Sequence, residues 1–267
     1  MVKLVAETSA FTNLKELELL IGSPDLKNPR SDSFNLKDGD VKLKVEGSGF
    51  TYDSGFPTGG KITDVEIFVS DKLAYSLSDM NLKISDVLSF ENVGQLVARI
   101  FKGNDELIGS TEGDVLSGHK GADVIKGKKG DDALLGQKGD DNIKGGNGAD
   151  ILDGGAGRDK LDGGRGIDKY VFTAAPGKGV DKIVDFQAGE QIALDDAVFN
   201  VGPTGVPLSP TAFVEGSKAT TADHRIVYKE SNGKIWHDDD GIGPTKKVLI
   251  AKVTPGTDLD AGDFFVF

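Results

Sequence analysis

Between Ile100 and Val171 the apolar and polar positions repeat with a period of nine residues, eight times without an insertion. The eighth place of each period is apolar: Leu107, Leu116, Ile125, Leu134, Ile143, Leu152, Leu161 and Tyr170. Two places earlier stands an aspartate every time: Asp105, Asp114, Asp123, Asp132, Asp141, Asp150, Asp159 and Asp168. The fourth place is glycine at Gly103, Gly121, Gly130, Gly139, Gly148, Gly157 and Gly166, with Glu112 the exception. Strand side chains alternate, so one apolar residue between two polar neighbours predicts a three-residue strand with a single inward side chain. The glycines before it predict a turn, because they reach positive φ without a Cβ penalty. One nonapeptide is then one turn and one strand, and two of them complete an eighteen-residue coil of a flattened parallel roll.

Patterning elsewhere is less regular. Phe11 to Leu20 has helical spacing and is followed by a loop punctuated by Pro and Asn from Ser23 to Ser33. Val41 to Val45, Gly49 to Tyr52, Ile62 to Val69 and Leu73 to Leu77 alternate as strands, the last two joined by a turn at Ser70-Asp71. Leu82 to Phe101 returns to helical spacing and is expected to cover the open end of the roll. Downstream, Val180 to Phe186, Gln191 to Leu194, Arg225 to Tyr228, Lys234 to His237 and Val248 to Val253 read as strands, with a hairpin turn at Ser231-Asn232-Gly233. The expected architecture is mainly β: a parallel β-roll at 100–171, an N-terminal β-rich and helical module at 1–99 and a C-terminal β-rich cap at 172–267.

The repeat also carries chemistry. A glycine turn exposes carbonyl oxygens beside a carboxylate, and a hard cation such as calcium takes about six to eight oxygen ligands. Stacked turns would clamp an ion between Asp105 and Asp123, Asp114 and Asp132, Asp123 and Asp141, Asp132 and Asp150, Asp141 and Asp159, and Asp150 and Asp168, giving roughly six sites. The turn glycines Gly121, Gly130, Gly139, Gly148, Gly157 and Gly166, with second-place Gly146, Gly155 and Gly164, complete the expected set. The first two turns fit least well, since Ile100 and Phe101 replace both leading glycines of one and Glu112 sits in the other. His119, Lys128 and Gln137 occupy second-place positions and are expected to weaken their turns.

Without a cation the array should not fold. One buried aliphatic contributes about 1.5 to 3 kcal/mol, against a backbone ordering cost of about 1 to 2 kcal/mol for each residue of the repeat. The stacked aspartates also repel one another, so the metal-free array is expected to be expanded.

Composition narrows the function. The net charge of −12 argues against nucleic acid and anionic membrane as partners. Within 100–171, fourteen acids against eleven bases leave −3, so most of the excess lies outside the repeats. Lys120, Lys128, Lys129, Lys138 and Lys144 fall at variable places, where a solvated face explains them. The absence of cysteine excludes disulfides and thiolate metal sites. Met1 to Leu20 lacks the long apolar core of a signal peptide, and no stretch approaches a membrane span.

Motifs for catalysis are missing: there is no H-E-x-x-H and no G-x-S-x-G, and His119, His224 and His237 lie far apart. Ser231 to Lys234 reads S-x-x-K formally, but a hairpin turn accounts for it. Asp238 to Gly243 (D-D-D-G-I-G) reads either as a solvated acidic turn or as an extra calcium site, and no glutamate closes an EF-hand loop.

Gly145 to Asp153, Gly154 to Asp162 and Gly163 to Val171 match G-G-x-G-x-D-x-U-x, and the chain thereby resembles the secreted RTX, or haemolysin-type, calcium-binding family of Gram-negative bacteria. Asp162 to Phe172 is similar to the family's exit from the array. Ala222 to Tyr228 with Trp236 to Gly241 is similar to the module after the roll in serralysin-like proteins, and Asp263 to Phe267 resembles the C-terminus of type I secretion substrates. The resemblance implies an uncleaved C-terminal export signal, the type I secretion apparatus as partner and an extracellular location.

The resulting expectation is a secreted, non-enzymatic calcium-binding protein that folds after export. The alternative is a calcium-dependent adhesin or matrix component whose residues 1–99 bind glycan, with Phe50, Tyr52, Phe56 or Phe68 grouped on a surface. A third reading is an enzyme with an unfamiliar N-terminal site, for which Asp64, Glu66 and Asp71 are the available carboxylates.

Overall fold

A computed structural model of the chain describes residues 3–6, 25–27, 33–38, 41–53, 56–69, 72–78, 82–83 and 101–267. The nonapeptide array forms two facing parallel sheets. In the first, β8 (Glu106–Ile108), β10 (Val124–Lys129), β12 (Asn142–Asn147) and β14 (Lys160–Arg165) lie side by side. In the second, β9 (Val115–Ser117), β11 (Ala133–Leu135), β13 (Ile151–Asp153) and β15 (Lys169–Phe172) do the same. Register follows the eighteen-residue coil throughout: Leu107 pairs with Ile125, Ile125 with Ile143 and Ile143 with Leu161, while Leu116 pairs with Leu134, Leu134 with Leu152 and Leu152 with Tyr170.

The predicted inward side chains are the core. Every eighth-place residue from Leu107 to Tyr170 is at most 1% exposed. Lys120, Lys128, Lys129, Lys138 and Lys144 face solvent as expected. Ion pairs across the outer face, Lys126 with Glu106 at 2.8 Å and Lys144 with Asp162 at 3.4 Å, are exposed and contribute at most about 1 kcal/mol each.

The roll continues past Val171. β16 (Asp181–Val184) adds in parallel to β14, with Ile183 opposite Leu161, and β17 (Gln191–Leu194) adds to β15, with Ile192 opposite Tyr170. The sequence accounts for this. After four inserted residues, Phe172 to Ala175, the stretch Pro176-Gly177-Lys178-Gly179-Val180-Asp181-Lys182-Ile183-Val184 spells a ninth nonapeptide with proline for its first glycine. Asp185 to Ala193 forms a degenerate tenth with Glu190 at the sixth place.

The C-terminal segment extends these same sheets. β18 (Val206–Pro207) runs antiparallel to β23 (Phe264–Val266), which pairs in parallel with β17. β19 (Phe213–Glu215), β20 (Ile226–Lys229) and β21 (Lys234–His237) lead to β22 (Val248–Lys252), which joins β16 in parallel. The hairpin between β20 and β21 turns at Glu230–Asn232, with Gly233 in the left-handed region. A single short helix, α1 (Asp196–Phe199), begins at Asp195, whose carboxylate accepts the Ala197 N–H. His237 holds that helix: its Nε2 lies 2.6 Å from the Phe199 carbonyl, and its ring meets the Phe199 ring edge-on at 5.3 Å.

On the N-terminal side, β1 (Lys3–Ala6) runs parallel to β8 and antiparallel to β6 (Lys72–Ser78), carrying the first sheet outward. β2 (Asp25–Lys27), β3 (Ser33–Asp38), β4 (Val41–Asp53), β5 (Phe56–Val69) and β6 form an antiparallel series in that order. The expected strands at 41–45 and 49–52 merge into β4, whose pairing with β5 is interrupted by register shifts at Glu46/Gly47, Ser48/Thr51 and Thr51/Tyr52. Leu82 and Lys83, expected to open a helix, instead form β7 (Leu82–Lys83) against Ile62 and Lys61. The helix at 11–20, the turn at 70–71 and residues 84–100 lie outside the described residues.

One deviation from the repeat leaves a backbone signature. His119, Lys128 and Gln137 have φ of 67°, 85° and 70°, at second places where Gly146, Gly155 and Gly164 have φ of 125°, 81° and 100°. A side chain in the left-handed region costs about 1 to 2 kcal/mol. Gln137 recovers part of this through a hydrogen bond from its Nε2 to the Ser117 hydroxyl at 2.6 Å, and His119 stacks on Phe101.

Two substitutions test the packing. Ile143→Ala removes a fully buried link of the core and is expected to lower stability by about 2 to 5 kcal/mol. Lys128→Gly relieves a strained turn at an exposed site and is expected to raise it by about 1 kcal/mol. Urea denaturation in calcium reads both.

Candidate metal centre

Each array aspartate ends a turn and opens a strand, so it belongs to two coils at once. From Asp123 onward, its Oδ1 accepts the backbone N–H of the aspartate one coil earlier. The distances are 2.7 Å for Asp105 to Asp123 and Asp114 to Asp132, 2.8 Å for Asp123 to Asp141 and Asp141 to Asp159, and 2.9 Å for Asp132 to Asp150 and Asp150 to Asp168. All six expected pairs are brought together, through a backbone N–H rather than by two facing carboxylates. The carboxylates are at most 2% exposed.

The second oxygen is different. In Asp123, Asp132, Asp141, Asp150, Asp159 and Asp168, Oδ2 is buried and accepts no hydrogen bond. Leaving a buried charged acceptor unsatisfied costs more than about 1 to 3 kcal/mol. In the turn containing Glu112, by contrast, Ser110 N–H donates to Asp114 Oδ2 at 2.5 Å.

The orphaned oxygens share their surroundings with backbone carbonyls. At Gly127, an added Cβ would fall among Asp132 Oδ2 and the Gly145 carbonyl; at Gly136, among Asp141 Oδ2 and the Gly154 carbonyl; at Gly145, among Asp150 Oδ2 and the Gly163 carbonyl. At these three turns first-place glycine therefore keeps open a space shared by a carboxylate oxygen and a carbonyl oxygen of the next coil. These first-place glycines were not among the expected site residues, although the repeat displays them plainly. The expected turn glycines stack in rows: Gly121, Gly139 and Gly157 on one edge, Gly130, Gly148 and Gly166 on the other, each so close to the carbonyl below that a Cβ would overlap it or its neighbours. Gly146, Gly155 and Gly164 lie similarly over the carbonyls of Lys128, Gln137 and Gly146.

Among the described residues no group of three or more His, Asp or Glu side chains converges as a ready metal cluster. A cation in these turns would be held by a carboxylate oxygen together with backbone carbonyls, and that donor set of hard oxygens suits calcium. The orphaned Oδ2 atoms and the open space beside first-place glycine fit such an ion.

Two further carboxylates join the rows. Asp181 Oδ1 accepts the Asp159 N–H at 3.1 Å, continuing one row through the ninth nonapeptide. Glu190 continues the other: it is 1% exposed, its Oε2 accepts from Gln187 N–H at 2.8 Å and Tyr170 O–H at 3.3 Å, and its Oε1 accepts nothing. Both stand twenty-two residues after their predecessors, Asp159 and Asp168, instead of eighteen. The four-residue insertion hid them from a fixed frame; Gly-x-Asp-x-Ile at 179–183 was the available signal.

Burial raises the protonation equilibria of these groups. Asp123 and Asp132 are pushed up from 3.8 to about 7 and Asp150 to about 6, by loss of solvation first, with neighbouring aspartates adding to it against the backbone N–H that lowers it. Asp141, Asp159, Asp181 and Glu190 move upward for the same leading reason. The histidines do not converge: His119 lies in the array, His224 accepts the Thr220 N–H, and His237 is buried, desolvation holding its imidazole below the usual value.

Residues 101–134 and 135–170 each match the family model of the RTX calcium-binding nonapeptide repeat (4 copies). The array is thus made of RTX calcium-binding repeats folded as a parallel β-roll. No curated protein sequence matches the chain. Among solved structures the chain is similar to the solution structure of the AlgE6R3 subunit from the Azotobacter vinelandii mannuronan C5-epimerase, at 24% identity, covering 61% of this chain and 78% of that one with a TM-score of 0.33.

A pH dependence follows for the protein in chelator. A carboxyl group whose folded value is raised binds its proton more tightly when folded. Its contribution is present below the unfolded value near 3.8 and is lost as pH rises through about 6 to 7. In chelator the β signal in circular dichroism is therefore expected to be greater at pH 5 than at pH 8; an increase on raising the pH would contradict the burial of these carboxylates.

Proposed function

We propose that this protein is a secreted, non-enzymatic calcium-binding protein that folds on meeting extracellular calcium. One observation carries the reading: a row of six buried aspartate oxygens, each lacking a donor, with a carbonyl of the next coil beside those of Asp132, Asp141 and Asp150. Six such aspartates argue for about six ions in the roll, with Glu190 extending the row by one more turn. An ion bound only to the folded chain stabilises it by RT ln(1 + [L]/Kd), and sites coupled through shared coils add their effects. Extracellular modules bind calcium at about 10⁻⁴ to 10⁻³ M, a range that leaves the array empty in a low-calcium cytosol and filled outside. Passage through a type I secretion apparatus in an unfolded state is consistent with this coupling. Among the described residues no helix is long and apolar enough to cross a membrane.

The adhesin reading draws less support. Phe50, one of the aromatics proposed for sugar stacking, is 6% exposed and packs in the core with Val45 and Ile62. Side chains of Tyr52, Phe56 and Phe68 lie outside the described residues. For an enzyme, Glu66 is engaged by Lys44 at 3.0 Å, Asp64 is half-buried on β5, and Asp71 lies outside the described residues. A cleft lined by Asp258, Asp260 and Asp263 occurs in the C-terminal region, but Asp260 and Asp263 are tied to each other's backbone as a capping box.

Calcium titrated into the chelated protein is expected to produce a cooperative gain of β signal. Asp141→Asn, which alters an orphaned oxygen in mid-array, is expected to move the midpoint about tenfold higher, the equivalent of about 1.4 kcal/mol. Equal spectra with and without calcium would end this reading.

A further inference from the structure

The loop from Asp238 to Thr245 follows β21 and lies outside both aspartate rows. Asp238 is 4% exposed, and its Oδ1 is buried with no hydrogen-bond partner. Two residues on, Asp240 Oδ1 is likewise buried and unpartnered, while its Oδ2 accepts the Thr245 N–H at 2.9 Å. Between them Asp239 turns outward, its side chain 67% exposed. The bend that follows β21 thus leaves the first and third carboxylates of the D-D-D run within range of each other.

The surroundings are shaped for this. Gly241 has φ of 66° and packs so tightly on the Thr221 carbonyl that a Cβ would overlap it. A Cβ at Gly243 would overlap Asp240 Oδ2. The cation whose charge acts on Asp238 is Lys247, but its ammonium donates to the Ser217 carbonyl and sits 4.0 Å over the Trp236 ring. Asp238 Oδ1 and Asp240 Oδ1 therefore have neither an N–H donor nor an ammonium contact, and the two carboxyl groups interact with each other.

We propose that Asp238 and Asp240 hold a further calcium ion in this loop, apart from the array. Hard oxygen donors, two of them anionic, beside an exposed-backbone turn are what such an ion requires. The site would brace the 238–245 loop against the Thr221–Ala222 backbone, which packs on Gly241. It does not depend on the array's own ions.

Trp236, the chain's one tryptophan, stands two residues before Asp238 and gives the site its own reporter. Terbium is added to the calcium-loaded full chain and emission is excited at the red edge of the tryptophan band. The expected result is sensitised emission that excess calcium displaces. Asp240→Asn and Asp238→Asn are expected to abolish it and to lower the bound-calcium count in equilibrium dialysis by one, with the calcium-dependent β signal retained. Trp236→Phe should abolish emission with the count unchanged, so a folding defect in Asp238→Asn alone does not decide the matter. No emission from the wild type, or emission and count both preserved in the aspartate variants, overturns the proposal. Failure of the array reading is distinguished by a wild type that gains no β signal on adding calcium.

Discussion

The roll depends on a divided carboxylate. From Asp123 to Asp168, one oxygen of each array aspartate fastens its coil to the backbone of the coil before, and the other is left buried with nothing to accept. The first bond sets the spacing of the turns. The second oxygen makes that spacing unfavourable until a cation arrives, because a buried anion without a partner opposes folding. Within the array the core is thin, two facing files with one apolar residue per nonapeptide. Cohesion in this molecule is therefore conditional by construction, and the condition is chemical.

Glycine enforces the same arrangement sterically. First-place glycine leaves the space beside Oδ2 open, and fourth-place glycine lets successive turns approach backbone to backbone. Where the sequence departs from this, the structure records it: Ser110 donates into Asp114, and His119, Lys128 and Gln137 accept left-handed backbone. Fifth-place side chains add a further tie. Asn104, Asp131 and Asp140 each accept the N–H of the corresponding residue one coil later, Ala122, Ala149 and Arg158.

Much of this was legible in the sequence, for a physical reason. A solenoid repeats one local environment, so a nine-residue period reports register, core and turn chemistry together, and Leu107 to Tyr170 fall where the pattern puts them. Downstream strands such as Gln191 to Leu194 and Lys234 to His237 were readable from alternation alone. Three things were not. The insertion of Phe172 to Ala175 broke the frame, which concealed Asp181 and Glu190 as members of the rows. The unequal roles of Oδ1 and Oδ2 arise only when coils stack, since the donor to Oδ1 is eighteen residues away. The pairing of Leu82 with Ile62 was missed because apolar spacing on so short a segment does not discriminate helix from strand.

The uneven distribution of second-place residues gives the roll a polarity. Coils near Gly146, Gly155 and Gly164 are built from permissive turns and abut β16, β17, β22 and β23, whereas those near His119, Lys128 and Gln137 carry torsional strain. In a nearest-neighbour stack each coil grows best on one already formed. The C-terminal side thus offers the more permissive neighbours to stack on, and the strained turns gather at the N-terminal side of the roll. A molecule of nearly identical units is, in this sense, a spring wound more loosely at one end.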